Sequence, residues 1–358
     1  MKIDFLINSL TGGGAERVMT TLANGFSARA NIVKLITFNA NDSYEVVKSV
    51  KRIRLHYGNL SNHTIRSFVN LFKYYKGKKK RPDILISFMP KTNLVAIAVA
   101  KILKIKVIIC EHSNHKAKTT SDTKWIRKFF YKYADATTVL TSYDISFYKA
   151  LKSNVTVMPN PIILPESIKP FSERHNNILV AGSLNRYKLK GFDKLLYLME
   201  PLLKSHSDWI LTIAGSGENG MAILKKITKE LNLEKQVKFT GFCKNIEELM
   251  QNSQIYILSS QYEGLPMVLM EALSNGMACI SYNCVSGPSD LIVHNQNGLL
   301  VDNQNPKAMQ EGVNLLIQNE SLRKKLAANA PSSMVKYSLE NILGQWELLI
   351  NSVLSDGK

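Results

Sequence analysis

Ile255-Tyr-Ile-Leu-Ser259-Ser260-Gln-Tyr-Glu263-Gly264-Leu265-Pro266-Met267-Val-Leu-Met-Glu271-Ala272-Leu273 reads as a short apolar strand, a tight turn and an apolar helix. Strand and helix joined this closely form half of a βαβ unit, the building block of a parallel sheet. Pro266 suits a first helical turn, so the Gly264 to Pro266 bend opens a helix whose free N–H groups point past the carboxyl end of the strand. Such a place attracts anions. Glu271 lies among Met267, Val268, Leu269, Met270, Ala272 and Leu273, where a solvated carboxylate is not expected. A buried carboxylate needs partners. A pair of ribose hydroxyls supplies them, and so does the backbone or dipole of the helix itself.

The same alternation extends outward in both directions. Strand-like runs at Asn177 to Ala181, Trp209 to Ala214, Val237 to Gly241 and Ala278 to Ser281 surround the quoted stretch. A separate series lies at Ile3 to Ile7, Val33 to Phe38, Ile84 to Phe88, Val107 to Glu111 and Ala136 to Leu140. Apolar strands separated by helices predict parallel sheets covered on both faces. Between the series, Met158 to Asn177 carries Pro159, Pro161, Pro165 and Pro170 and reads as a linker. A chain of 358 residues exceeds one ordinary core, which gives two α/β domains, residues 1–163 and 164–335, facing across a cleft. Residues 336–358 form a last helix able to return to the first domain.

Charge divides the chain as the strands do. Residues 1–165 hold 27 Lys and Arg against 9 Asp and Glu, whereas the remainder holds 19 of each. The whole excess of +18 therefore belongs to the first half, which predicts an anionic partner there. Cys110, Cys243, Cys279 and Cys284 lack metal or disulfide spacing and read as reduced thiols. Met1 to Asn8 has no cleavage pattern, and Lys101, Lys104 and Lys106 interrupt the most apolar stretch, so neither a signal peptide nor a membrane span is expected.

A second strand end, Ala181-Gly182-Ser183-Leu184-Asn-Arg186-Tyr-Lys188-Leu-Lys190-Gly191, clusters cations where a diphosphate leaving group would be neutralised. Together the two segments resemble the retaining glycosyltransferases of family four, enzymes of GT-B architecture with two Rossmann-like domains. The family signature is a pair of glutamates separated by seven residues around a Gly-Leu-Pro turn, matched by Glu263 and Glu271. The resemblance implies that Glu263 lies by the donor sugar and Glu271 holds the nucleotide ribose. Gly264, Leu265, Pro266 and Met267 then face the sugar and diphosphate. Lys190 matches a phosphate-binding Lys; Ser183 stands where the family has an Arg, and Arg186 is the candidate to replace it.

In the first half, Thr11-Gly12-Gly13-Gly14-Ala15-Glu16-Arg17 follows the first strand. Glycines there let backbone approach a bound group. The resemblance implies donor contacts at Gly13 and Gly14 and acceptor contacts at Glu16 and Arg17. It also implies a catalytic His112, within Cys110-Glu111-His112-Ser113-Asn114, beside the donor sugar. Gly215-Ser216-Gly217-Glu218-Asn219-Gly220 fits a dinucleotide fingerprint, but the next strand, Val237 to Gly241, ends without the acidic residue that would hold an adenosine ribose. Turn geometry accounts for those glycines. No Asp-x-Asp occurs, so no metal and no cofactor is implied, and basic residues with helix N-termini hold the donor diphosphate.

Thr64 to Lys76 places Ile65, Phe68, Val69, Phe72 and Tyr75 on one helical face, with Arg66, Lys73 and Lys76 elsewhere. Such a helix either lies on anionic lipid, aromatics down, or packs on its own sheet. Lys124 to Lys132 has a similar mixture. Within the family this arrangement is similar to enzymes that extend undecaprenyl-diphosphate-linked sugars for O-antigen, capsule or other glycans. The resemblance implies a hexose or N-acetylhexosamine, a UDP-linked donor, an undecaprenyl-diphosphate saccharide gripped by Arg66, Lys73 and Lys76, and a peripheral place at the inner face of the membrane. A basic nucleic-acid-binding protein leaves the second half's motifs unexplained, so no nucleic acid is expected. A non-catalytic nucleotide-sugar binder of the same fold is the other rival.

Overall fold

A computed structural model describes residues 1–39, 44–117, 119–243 and 245–355. The chain divides into two compact units, one of residues 1–161 with 337–358 and one of residues 162–336.

The first unit runs β1 (Lys2–Ile7), α1 (Gly14–Ala28), β2 (Ile32–Thr37), β3 (Lys51–Arg54), α2 (His63–Lys76), β4 (Ile84–Phe88), α3 (Pro90–Leu103), β5 (Lys106–Cys110), α4 (Ser121–Phe130), β6 (Ala136–Val139), α5 (Ile145–Ala150) and β7 (Val155–Val157). The second runs β8 (His175–Ala181), α6 (Tyr187–Lys190), α7 (Phe192–Ser205), β9 (Ile210–Ala214), α8 (Glu218–Glu230), β10 (Val237–Gly241), α9 (Ile246–Gln251), β11 (Ser253–Leu258), α10 (Met267–Ser274), β12 (Ala278–Tyr282), α11 (Pro288–Leu291), β13 (Leu299–Val301), α12 (Pro306–Gln318) and α13 (Glu320–Met334). Helix α14 (Leu339–Ser355) then packs in the first unit.

Both sheets are parallel throughout. The first is ordered β3-β2-β1-β4-β5-β6-β7 and the second β10-β9-β8-β11-β12-β13. Central strands are apolar because helices cover both of their faces: Ile84, Leu85, Ile86 and Phe88 of β4 are fully buried. Three strands that sequence patterning does not predict, β3, β7 and β13, all lie at sheet edges. Strand β3 is Lys-Arg-Ile-Arg, and charge on an edge strand conceals the apolar alternation while discouraging further pairing.

Helix α14 sits on α1. Leu343 Cδ1 lies only 2.7 Å from where a Cβ on Gly25 would stand, so the two helices meet closely at that glycine. Arg29 closes the contact with ion pairs to Glu340 and to Glu347, the latter at 2.9 Å.

Candidate active site

Strand order reverses between β8 and β11 in the second sheet and between β1 and β4 in the first. Ligands of open parallel sheets bind beyond the carboxyl ends of strands at such reversals. The two basic and acidic segments singled out in the second half follow β8 and β11, one on each side of the reversal.

Short polar contacts join the loops after these strands. Ser259 Oγ donates to the Lys190 carbonyl at 2.7 Å, and Gln261 donates from its backbone N to Leu189 O and from Nε2 to Lys188 O, both at 2.9 Å. Gly191 has φ +71, and a Cβ there would stand 2.3 Å from Ser259 O, so the crossing requires glycine. The result places Lys190 Nζ 2.7 Å from Glu263 Oε1, with side-chain exposures of only 16% and 12%. The turn beyond Glu263 leads into α10 through buried Leu265 and Pro266 and half-buried Gly264 and Met267. Glu271 is buried in the second turn of α10, at 9% exposure. Arg186 is exposed on the short turn before α6.

Two supporting residues were missed from sequence. Ser286 Oγ donates to the carbonyls of Glu263 and Gly264 at 3.0 and 3.2 Å. Gly287, at φ +95, passes so near that a Cβ would meet Gly264 O at 2.5 Å. The signal available was Ser286-Gly287-Pro288, a second Gly-Pro bend opening a helix one strand later. The GxGxxG glycines also have a packing reason beyond turn geometry. Added Cβ atoms at Gly215 and Gly220 would stand 1.8 Å from Gly182 O and Leu184 O, so these glycines let the loop after β9 lie against the loop after β8.

At the reversal in the first sheet, the glycine loop is exposed, and Glu16 takes up its N–H groups. The Glu16 carboxylate accepts from Gly12 N at 2.7 Å and from Gly13 N, and Ser9 Oγ donates to it at 3.3 Å. Gly14 and Arg17 are exposed beside it. Across the reversal, Met89 has φ +78, a conformation that costs a non-glycine residue about 1–3 kcal/mol.

His112 follows β5, its ring 4.2 Å from that of Phe88 at the end of β4. Burial pushes the imidazole down to about 3 against a smaller upward pull from a hydrogen bond with Asn160. His112 is thus neutral at physiological pH, and among the described residues its buried Nε2 has no hydrogen-bond partner. Its neighbour Glu111 is buried too. Arg127 grips that carboxylate with Nε at 3.2 Å and Nη2 at 2.6 Å, Tyr131 donates to it, and Asn93 Nδ2 donates to Tyr131 at 3.0 Å.

The structure decides between the two readings left open for α2 and corrects the grouping of one cation in α4. The aromatic face of α2 packs inward: Phe68 and Phe72 lie against the core, and buried Tyr75 donates to Asp4 Oδ2 at 2.6 Å. Arg127, grouped by sequence with surface cations, is only 2% exposed. Lys73 and Lys76 are exposed and Arg66 half-buried. Arg66 stands in the first turn of α2; Lys73 and Lys76 stand about 10 and 15 Å further along the helix, towards the amino edge of the sheet. The structure therefore gathers Lys190, Glu263, Gly264 to Met267 and Glu271 around one reversal, but spreads Arg66, Lys73 and Lys76 along a helix. Among the described residues no group of three His, Cys, Asp or Glu is placed to hold a metal ion, and no helix is long and apolar enough to cross a membrane.

Two parallel α/β sheets with this pair of carboxylates and a lysine beside one reversal define a glycosyltransferase of GT-B architecture. The chain belongs to the glycosyltransferase family whose models describe residues 12–164 as Glycosyltransferase Family 4 and residues 166–333 as Glycosyl transferases group 1. It is 32% identical, over 99% of both chains, to the Campylobacter jejuni GalNAc-alpha-(1->4)-GalNAc-alpha-(1->3)-diNAcBac-PP-undecaprenol alpha-1,4-N-acetyl-D-galactosaminyltransferase. It is 30% identical, over 98% of both, to the amylovoran biosynthesis glycosyltransferase AmsD of Erwinia amylovora. The fold is shared with Anabaena HepE in complex with UDP, at a TM-score of 0.80 and 17% identity over 98% of this chain and 100% of that one.

Proposed function

We propose that this enzyme transfers a hexose or N-acetylhexosamine from a UDP-sugar to an undecaprenyl-diphosphate-linked saccharide, retaining the anomeric configuration, in the synthesis of O-antigen, capsule or a related glycan. The Lys190–Glu263 pair beside the β8/β11 reversal carries this reading, because a cation beside a carboxylate suits a leaving diphosphate and a cationic sugar. The undecaprenol-linked substrate named for the Campylobacter relative supports the acceptor class. UDP bound to the Anabaena neighbour supports the donor class.

In this mechanism Lys190 leaves Glu263 for the donor diphosphate, and Arg186 adds a second cation. The bond from the anomeric carbon to the phosphate oxygen breaks while the acceptor oxygen bonds to the same face. The acceptor proton passes to the leaving phosphate, so no side chain becomes covalently attached. Glu263 stabilises the cationic sugar, Glu271 holds the ribose hydroxyls, and neutral His112 offers a hydrogen bond to the sugar. Charge on the diphosphate is balanced by these cations and by the N-terminus of α10, without a metal ion or any other cofactor.

The enzyme works as a peripheral protein at the inner face of the membrane, and α4 supplies the contact that α2 cannot. Trp125 and Phe129 are 52% and 44% exposed, and Lys124, Lys128 and Lys132 around them are exposed. Aromatics flanked by cations suit an anionic bilayer, each cation adding ~1 kcal/mol near its surface.

Nucleotide release from UDP-, GDP- and ADP-sugars, measured with and without a short undecaprenyl-diphosphate saccharide and with EDTA, tests the proposal. UDP release that requires the lipid acceptor and ignores EDTA, with an α-linked product from an α-linked donor, is expected. Absence of turnover with every donor would overturn it.

A further inference from the structure

His115 lies three residues beyond His112 in the loop after β5, and its environment is built with more care than a surface histidine requires. Asp144, in the loop after β6, accepts from both the backbone N and Nδ1 of His115 at 2.7 Å. Asp144 is itself buried, with its side chain 5% exposed. The imidazole is stacked between two rings, Phe147 at 4.6 Å and 9° and Tyr143 at 5.2 Å and 18°. These contacts fix the ring in position and rotation. The side chain nevertheless keeps 16% of its surface exposed, and among the described residues Nε2 has no hydrogen-bond partner. Both loops leave the carboxyl edge of the first sheet, the edge at which such sheets bind ligands.

The carboxylate dictates what the open nitrogen offers. An ionised Asp can only accept, so the proton of a neutral His115 resides on Nδ1, and Nε2 presents a lone pair. A lone pair accepts from a hydroxyl and repels a phosphate. We propose that His115 is an acceptor-binding residue, oriented by Asp144 and clamped by Tyr143 and Phe147, whose Nε2 accepts a hydrogen bond from a hydroxyl of the acceptor saccharide. The proposal rests on the reading above, in which the donor lies at the β8/β11 reversal of the second unit; the acceptor then falls to the first.

His115→Phe keeps an aromatic ring between Tyr143 and Phe147 while removing the nitrogen. Its acceptor KM should rise about 10-fold, the loss of one neutral hydrogen bond, while kcat at saturating acceptor falls much less. His115→Gln, whose amide oxygen can also accept, should recover part of that loss. An unchanged acceptor KM in a folded His115→Phe protein would overturn the proposal. A second measurement needs no turnover: side-chain ¹⁵N resonances of the full chain, assigned by their loss in His115→Phe, titrated with octyl glycosides of galactose, glucose and N-acetylgalactosamine and separately with inorganic pyrophosphate. The Nε2 signal should move with a saccharide. Movement with pyrophosphate alone, or no movement, would overturn it. Failure of the enzyme to use any nucleotide sugar would sink the transferase reading by itself, while the titration would still decide the hydroxyl site.

Discussion

The two carboxyl edges are constructed on different principles. In the second unit the edge is made by backbone crowding: Gly191, Gly215, Gly220 and Gly287 each stand where a Cβ would strike a carbonyl, and the reactive side chains rest on that frame. In the first unit the edge is made by side chains, with Glu111 held by Arg127 and Tyr131, and His115 held by Asp144. A frame of glycines is marked in the sequence by the glycines themselves, although each meets the carbonyl of a distant loop. A frame of paired charges depends on residues brought together from different elements, and losing one member leaves the other buried and uncompensated.

The largest expected effect tests the side-chain frame. Arg127→Met should cost about 3–5 kcal/mol in chemical denaturation, because it strands the Glu111 carboxylate. Adding Glu111→Leu should restore most of the loss, and additive losses would break the contrast drawn here. Next comes chemistry on the backbone frame. Glu263→Ala should lower kcat about 100-fold in the nucleotide-release assay, while Glu271→Ala should chiefly weaken donor binding measured by calorimetry. If both variants keep wild-type values, the β8/β11 reversal is not the donor site.

The smallest effect concerns Asp4 in the first unit. Burial raises its carboxyl to about 6, with Tyr75 and Lys34 pulling it partly back. A raised carboxyl favours the folded state when protonated, so this contribution is present at low pH and lost as pH rises through about 6. From pH 7 to pH 5 the wild type should gain about 1 kcal/mol relative to Asp4→Asn in denaturant titrations. Parallel pH curves would remove Asp4 from the set of strained buried groups.

The same contrast explains what sequence revealed. Central strands and the Gly264 to Pro266 bend were legible because apolar runs and glycine or proline punctuation act over a few residues. The edge strands β3, β7 and β13 were not, since β7 and β13 are only three residues long and β3 is Lys-Arg-Ile-Arg. Arg127 was grouped with surface lysines because nothing within Lys124 to Lys132 discloses Glu111, sixteen residues earlier in the chain, as its partner. The inward turn of Phe68, Phe72 and Tyr75 was one of two options that periodicity alone could not separate, and Tyr75 is fixed by Asp4 across 71 residues.

The seat of α14 on α1 has a consequence for the order of synthesis. Arg29 meets Glu340 and Glu347 only after the whole second unit has left the ribosome, and Leu343 cannot cover Gly25 before then. The second unit is an uninterrupted stretch of chain, whereas the first is closed by a segment that follows the second. The first unit begins earlier and finishes last, so a ribosome that stalls after residue 336 leaves a nascent chain with an uncovered α1 face, the form that chaperones and proteases would meet.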